Sequence, residues 1–246
     1  MPPNVETPRR NLTGAAVPAL AAAALAGLGA LLIVSRNGEP APAGAPVVEN
    51  CILEGIDAVG GPIDLVDTNG AAVTQADFAG QPVAVYFGFT NCPFACPVTM
   101  QTLAAALAEA NAPDIQPVLI SLDPERDTPE RMGAYAATDG FPSGLIGLTG
   151  SAAQVEAAKA AFRVFGNRVP IEGAAPDVYD IDHSSLLYIM DGQWRTVAAV
   201  RTVQRANEAD PRSPLAAVPP ENMAACIAAG LERARTAGAI MGNQRG

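Results

Sequence analysis

The 246-residue chain has one histidine and four cysteines, and its 15 basic residues are outnumbered by 25 acidic ones. A net charge of −10 and no basic stripe leave nothing to neutralise phosphates, which excludes a nucleic-acid partner. A lone imidazole, His183, rules out every metal site built on two histidines. No internal repeat is present. Charge is absent altogether from residues 14–34, a run of 21 that includes Leu20, Leu25, Leu28, Leu31, Leu32 and Ile33. At ~1.5 Å per residue this run covers a hydrocarbon core of about 30 Å, which predicts a single transmembrane helix over residues 14–35.

Arg9 and Arg10 precede that run, whereas Arg36 and Glu39 follow it. The positive-inside rule then keeps residues 1–13 in the cytoplasm, with the rest of this single-pass inner-membrane chain in the periplasm or its equivalent exported side. A cleaved signal peptide, with Ala41-Pro42-Ala43 as its small-residue site, is the rival reading. The run exceeds a signal core of about 7 to 15 residues, which favours a retained anchor. Residues 36–50 are rich in Pro, Ala and Gly and read as a flexible linker. Residues 51–236 form the expected folded domain, and 237–246 an expected disordered tail.

Within the domain, alternating residues 63–67 and the Asn69-Gly70 pair predict an N-terminal β-hairpin. The β-branched and aromatic run 83–87 predicts a buried strand ended by Gly88. Pro97 suits a first helical position, and Met100, Leu103 and Leu107 continue at helical spacing to about Ala110. A second strand is expected over 117–122 and a helix from Pro129 to about Thr138, capped by Thr128. A third strand over 145–150 leads to a helix capped by Ser151 and reaching about Phe165. Residues 166–182 read as an irregular acidic connection. A second hairpin, 185–190 and 193–197, turns at Asp191-Gly192; 204–220 reads as a loop, and Asn222 caps a last helix from Met223 to about Arg235. Strands alternating with helices, then a closing hairpin, make an α/β thioredoxin-like fold with an N-terminal β-hairpin.

Cys92 and Cys96 bracket the turn between the first central strand and its helix. A helix N-terminus favours thiolate over thiol, the form that attacks disulfides and binds soft metals. Dithiol oxidoreductases of this fold separate their cysteines by two residues; here three intervene, leaving the sulfurs room to converge on a metal. Such enzymes also place a proline before the closing hairpin, where this chain has Asp182-His183-Ser184-Ser185. Two thiolates and an imidazole suit Cu(I) and also hold Cu(II), whereas structural zinc usually takes four protein ligands.

Three stretches in this order, 88–97 around the cysteines, 121–130 (Ser-Leu-Asp-Pro-Glu-Arg-Asp-Thr-Pro-Glu) and Asp182-His183-Ser184, resemble the signatures of the Sco/SenC proteins. These are membrane-anchored copper chaperones of thioredoxin fold that help assemble the CuA centre of cytochrome c oxidase. The resemblance covers about residues 60–200. It implies that Cys92, Cys96 and His183 are copper ligands, that residues 123–130 shape a loop near them, and that the partners are the CuA-bearing oxidase subunit and an upstream thiol reductant or copper donor. This chain departs from the family pattern at Asn91, often His, and at Phe94-Ala95, often Asp-Val.

Cys51 and Cys226 flank the domain; in an oxidising compartment they either pair or remain buried free thiols. The alternative function is a thiol-disulfide oxidoreductase that reduces the oxidase copper-site cysteines, with Cys92 and Cys96 as its redox pair. A peroxidase on the same fold is a third reading, drawn from Thr90 two residues before Cys92.

Overall fold

A computed structural model of the chain describes residues 50–175, 178–207, 209–210 and 212–243, with side chains to Thr236. The expected N-terminal segment 1–13, the anchor 14–35 and all but the last residue of the linker lie outside the described residues. Among those described, no helix is long and apolar enough to cross a membrane.

The domain opens with a short edge strand, β1 (Cys51–Ile52), and a hairpin of β2 (Asp64–Val66) and β3 (Ala72–Thr74). Next come β4 (Val83–Gly88), α1 (Ala95–Glu109), β5 (Gln116–Ser121), α2 (Pro129–Ala136), β6 (Ile146–Leu148) and α3 (Ala152–Phe162). A hairpin of β7 (Gly166–Pro170) and β8 (Tyr179–His183) precedes β9 (Leu186–Met190) and β10 (Thr196–Arg201). A small hairpin, β11 (Val203–Arg205) with β12 (Leu215–Ala217), leads into α4 (Pro220–Asn243).

Six strands form the main sheet in the order β1-β10-β9-β4-β5-β6. β4, β5 and β6 run parallel, as the helical crossovers between them require, while β9 and β10 return antiparallel. Every residue of β4 is buried, so its continuous apolar run is that of a strand covered on both faces. Tyr86, Phe87, Tyr188 and Phe162 are fully enclosed, and the two phenylalanines contribute about 1.5–3 kcal/mol each by burial. On α1 the buried residues Cys96, Met100, Leu103 and Ala106 recur at helical spacing, so Cys96 is the first side chain of the face that meets the sheet.

Two caps occur where the sequence places them. Thr128 accepts from the Arg131 amide with Pro129 opening α2, and Ser151 forms a reciprocal capping box with Gln154. Other expectations need correction. α1 begins at Ala95, so Pro97 stands third in the helix; it still occupies the first turn, where its missing N–H costs no intrahelical bond. The segment 166–182 contains the β7–β8 hairpin, and 204–220 contains β11 and β12. α4 starts at Pro220 without Asn222 as a cap and continues to Asn243, beyond the expected end near Arg235. Gly192 is not the positive-φ residue of its turn, a role taken by Trp194. Glycine is required at 192 because a Cβ would stand 2.8 Å from the Gly80 carbonyl carbon.

β1 is held to the sheet edge by pairing with β10 and by a disulfide from Cys51 to the buried Cys226 of α4, with Cα atoms 5.3 Å apart. This bond closes a loop across a sequence separation of 175 residues. Cys51→Ala is expected to cost about 2–5 kcal/mol in denaturant unfolding. Peptide mapping under non-reducing conditions should recover a Cys51–Cys226 linked pair, and two free thiols in exported protein would overturn it.

Candidate metal centre

The cysteine turn sits at the C-terminal end of β4, where parallel strands of α/β sheets present their ligand sites. The Cys92 amide donates to the Phe89 carbonyl over 3.2 Å, which folds the chain back toward the start of α1. Phe94, the N-cap residue, has no side chain able to accept, and its ring is 78% exposed. The cap is supplied instead by sulfur, because Cys92 Sγ accepts from the Cys96 amide at 3.2 Å. Glycine at 88 lets Cys96 come this close to the sheet, since a Cβ there would lie 3.0 Å from Cys96 Sγ.

The two thiols titrate in opposite directions. The hydrogen bond from the Cys96 thiol is the largest cause that brings Cys92 down to about 6, and the amides of Cys96, Phe94 and Ala95 add to it against its partial burial. Cys96 is pushed well above its ordinary value by that same bond and by its burial. At neutral pH the site therefore holds one thiolate, Cys92, and one thiol, Cys96.

His183 arrives from the far side at the end of β8, paired across the hairpin with Gly166. Its Nε2 lies 4.0 Å from Cys96 Sγ, while Nδ1 is 2.8 Å from the Ser184 carbonyl oxygen. A carbonyl only accepts, so Nδ1 carries the proton and the Nε2 lone pair faces the thiols. Burial lowers the His183 pKa and keeps the ring neutral at pH 7. Edge contacts to Tyr86 and Phe89, with centroids 6.2 and 5.9 Å away, fix its plane. Cys92, Phe94, Asp182 and His183 line one cleft of about 320 Å³. Among the described residues no group of three or more His, Cys, Asp or Glu side chains is closed up as a ready metal site. Cys92 and His183 share the cleft, while Cys96 lies buried behind it, so the three candidates are not gathered on one point.

Behind the thiol turn, Asp127 is a buried carboxylate fed by neutral donors: the Thr90 hydroxyl at 2.6 Å, the Thr90 amide at 3.2 Å and the Ser121 hydroxyl at 2.7 Å. Its pKa is raised, chiefly by burial. Arg131 reaches back to the Asn91 side chain and, at 3.4 Å, to the Thr90 hydroxyl. The Thr90 hydroxyl, which a peroxidase would keep beside its thiolate, donates to Asp127 instead.

The family model of SCO1/SenC matches residues 54–212. The chain belongs to the SCO1/SenC family. Among its SCO relatives, the human mitochondrial protein SCO2 homolog is 42% identical over 139 residues, 54% of this chain and 51% of that protein. The mitochondrial protein SCO1 homolog 1 of Arabidopsis thaliana is 37% identical over 143 residues, 57% of this chain and 41% of that protein. This chain thus spans about half the length of the curated relatives it matches. The copper-bound crystal structure of Arabidopsis thaliana ScoI superposes with a TM-score of 0.58 at 29% identity, covering 72% of this chain and 99% of that one. Copper-bound Bradyrhizobium japonicum ScoI gives a TM-score of 0.54 at 34% identity, over 69% and 98%.

The sequence motifs of this SCO1/SenC chain named Cys92, Cys96, His183 and the 123–130 loop, and all converge on one end of the sheet. Missed were Tyr179 and the strand that carries it. The signal was present: Tyr179, Ile181 and His183 alternate with Asp180 and Asp182 at the period of a strand, with Ile181 buried and both acids exposed.

In the reduced, metal-free protein, alkylation of Cys92 should rise with pH about a midpoint near 6, while Cys96 stays unlabelled at neutral pH. Cys96→Ala removes the principal donor, so the Cys92 midpoint should move up toward that of an ordinary thiol. Peptide mass analysis after timed alkylation measures both, and equal labelling of the two cysteines at pH 7 would overturn the assignment.

Proposed function

We propose that this chain is a membrane-anchored metallochaperone that carries one copper ion on Cys92, Cys96 and His183 and passes it by ligand exchange to the CuA subunit of cytochrome c oxidase. The observation that carries this reading is the His183 Nε2 lone pair, held in its tautomer by Ser184 and facing Cys96 Sγ at 4.0 Å. That nitrogen adds a third, borderline donor to two sulfurs, a set that suits copper. The copper-bound ScoI structures of Arabidopsis thaliana and Bradyrhizobium japonicum support the choice of metal.

Cys92 is already a thiolate and His183 already neutral, so only Cys96 must lose a proton when copper enters. Copper affinity should therefore strengthen as pH rises from 7. A three-ligand set leaves copper open to attack by an incoming thiolate, which suits a carrier. In this reading residues 14–35 anchor the domain on the exported face of the inner membrane, with residues 1–13 in the cytoplasm and 36–50 as the tether. An upstream thiol reductant keeps Cys92 and Cys96 reduced.

The second reading, reduction of the oxidase cysteines by the same dithiol, is favoured by the low Cys92 pKa of about 6 and its direct contact with Cys96. His183→Ala separates the two. It should lower copper affinity by about 10-fold or more, given the usual effect of losing a metal-site interaction. Dithiol exchange should stay near the wild-type rate. Copper titration of the reduced protein, read by metal analysis and the thiolate-to-Cu(II) charge-transfer band, measures the first. Unchanged copper retention in His183→Ala would overturn the chaperone mechanism.

A further inference from the structure

His183 is carried by a hairpin outside the main sheet, and its distance from the thiols depends on what anchors that hairpin. The backbone contact nearest the site is from the Ser184 amide to the Phe165 carbonyl at 3.1 Å. The outer part of the hairpin is held by Tyr179, four residues before His183 on the same face of β8. The Tyr179 hydroxyl donates to Asp123 Oδ1 at 2.7 Å, and its backbone carbonyl accepts from Arg126 at 3.0 Å. Arg126 also pairs with the buried Asp123 carboxylate and places its guanidinium carbon 3.8 Å from the Tyr179 ring centroid. Arg168, from the opposing strand, stands 4.5 Å from the same centroid.

Asp123 and Arg126 belong to the loop that presents Asp127 to Thr90, two residues before Cys92. One short loop thus grips both arms of the site, the thiol turn through Asp127 and the histidine hairpin through Asp123 and Arg126. We propose that Tyr179 is a positioning residue, the latch that fixes the His183 imidazole relative to Cys92 and Cys96. The inference rests on the copper-site reading above.

Tyr179→Ala in the full-length protein should weaken copper binding about 10-fold or more, the usual effect of losing an outer partner of a metal ligand. The thiol turn is gripped by a different residue of that loop, Asp127, which Ser121 and Thr149 hold in place, so the Cys92 alkylation midpoint should remain at its wild-type value. A latch acting only through His183 also makes the losses non-additive: the Tyr179→Ala/His183→Ala double variant should bind copper no more weakly than His183→Ala alone. Additive losses would overturn the proposal.

A copper-free measurement decides the same point independently. His183 is the sole histidine, so its ring protons give one set of resonances, displaced by the Tyr86 and Phe89 rings. In metal-free Tyr179→Ala these should move toward unshifted values; resonances identical to wild type would refute the latch. Should the alanine variant not fold, Tyr179→Phe keeps the stacked ring and loses only the hydroxyl. A smaller displacement in the same direction is then expected, and none would refute it. Failure of the wild-type chain to bind copper would sink the chaperone reading while leaving this spectroscopic result decisive for the latch.

Discussion

A carboxylate with no cation of its own holds the functional end of this domain together. Asp127 takes three hydrogen bonds from Thr90 and Ser121, which lie just past β4 and at the end of β5, and its backbone carbonyl accepts from Thr149 just past β6 at 2.8 Å. One residue thus staples the C-terminal ends of three parallel strands. Its burial raises the pKa, so the folded state binds the proton more tightly than the unfolded chain does. By linkage the ionised group weighs against stability at neutral pH, and that penalty fades as pH falls through the folded pKa. A buried charge that does not favour folding is explained by what it positions, here the residues leading into the cysteine turn.

The same loop separates a rigid half of the site from a peripheral one. Cys96 is the first core-facing residue of α1 and sits against Tyr86 and Gly88 of β4, so its thiol is seated on the main sheet. His183 belongs to a two-stranded hairpin whose only membership is its own pair. Lys159 of α3 steadies the base of that hairpin through the Gly166 carbonyl at 3.0 Å. A site assembled from one fixed and one peripheral arm can admit and release a ligand without disturbing the core, consistent with Cys92 and His183 facing one cleft while Cys96 stays buried behind it.

Much of this was legible in the residues. Periodicity identified the strands at 83–87 and 117–122 and the helix between them, because each buries a continuous apolar face. The caps at Thr128 and Ser151 were readable because a short polar side chain followed by Pro or Gln has one local solution. The β7–β8 hairpin was obscured because Asn167, Arg168, Asp180 and Asp182 give it the composition of a loop, and β11 and β12 because three-residue strands are too short to show a period. The start of α1 was misread from Pro97, whose preference for the first turn does not distinguish the first position from the third. The contacts of Tyr179 with Asp123 and Arg126 join residues more than 50 apart in sequence, and no local pattern encodes such a pairing.

The departure at Phe94 bears directly on the thiolate. At the start of α1 the free amides are those of Ala95 and Cys96, because Pro97 has none. A carboxylate at the N-cap position would accept from the second or third helical amide, and with proline third only the Cys96 N–H is available. It would then compete with Cys92 for that donor while placing a negative charge beside the sulfur. Phenylalanine does neither: its ring lies in solvent, and the amide points undivided at Cys92 Sγ. Phenylalanine at 94 therefore leaves the helix-end donor wholly to the Cys92 sulfur and puts an exposed apolar group, where a carboxylate would be acidic, at the mouth of the cleft.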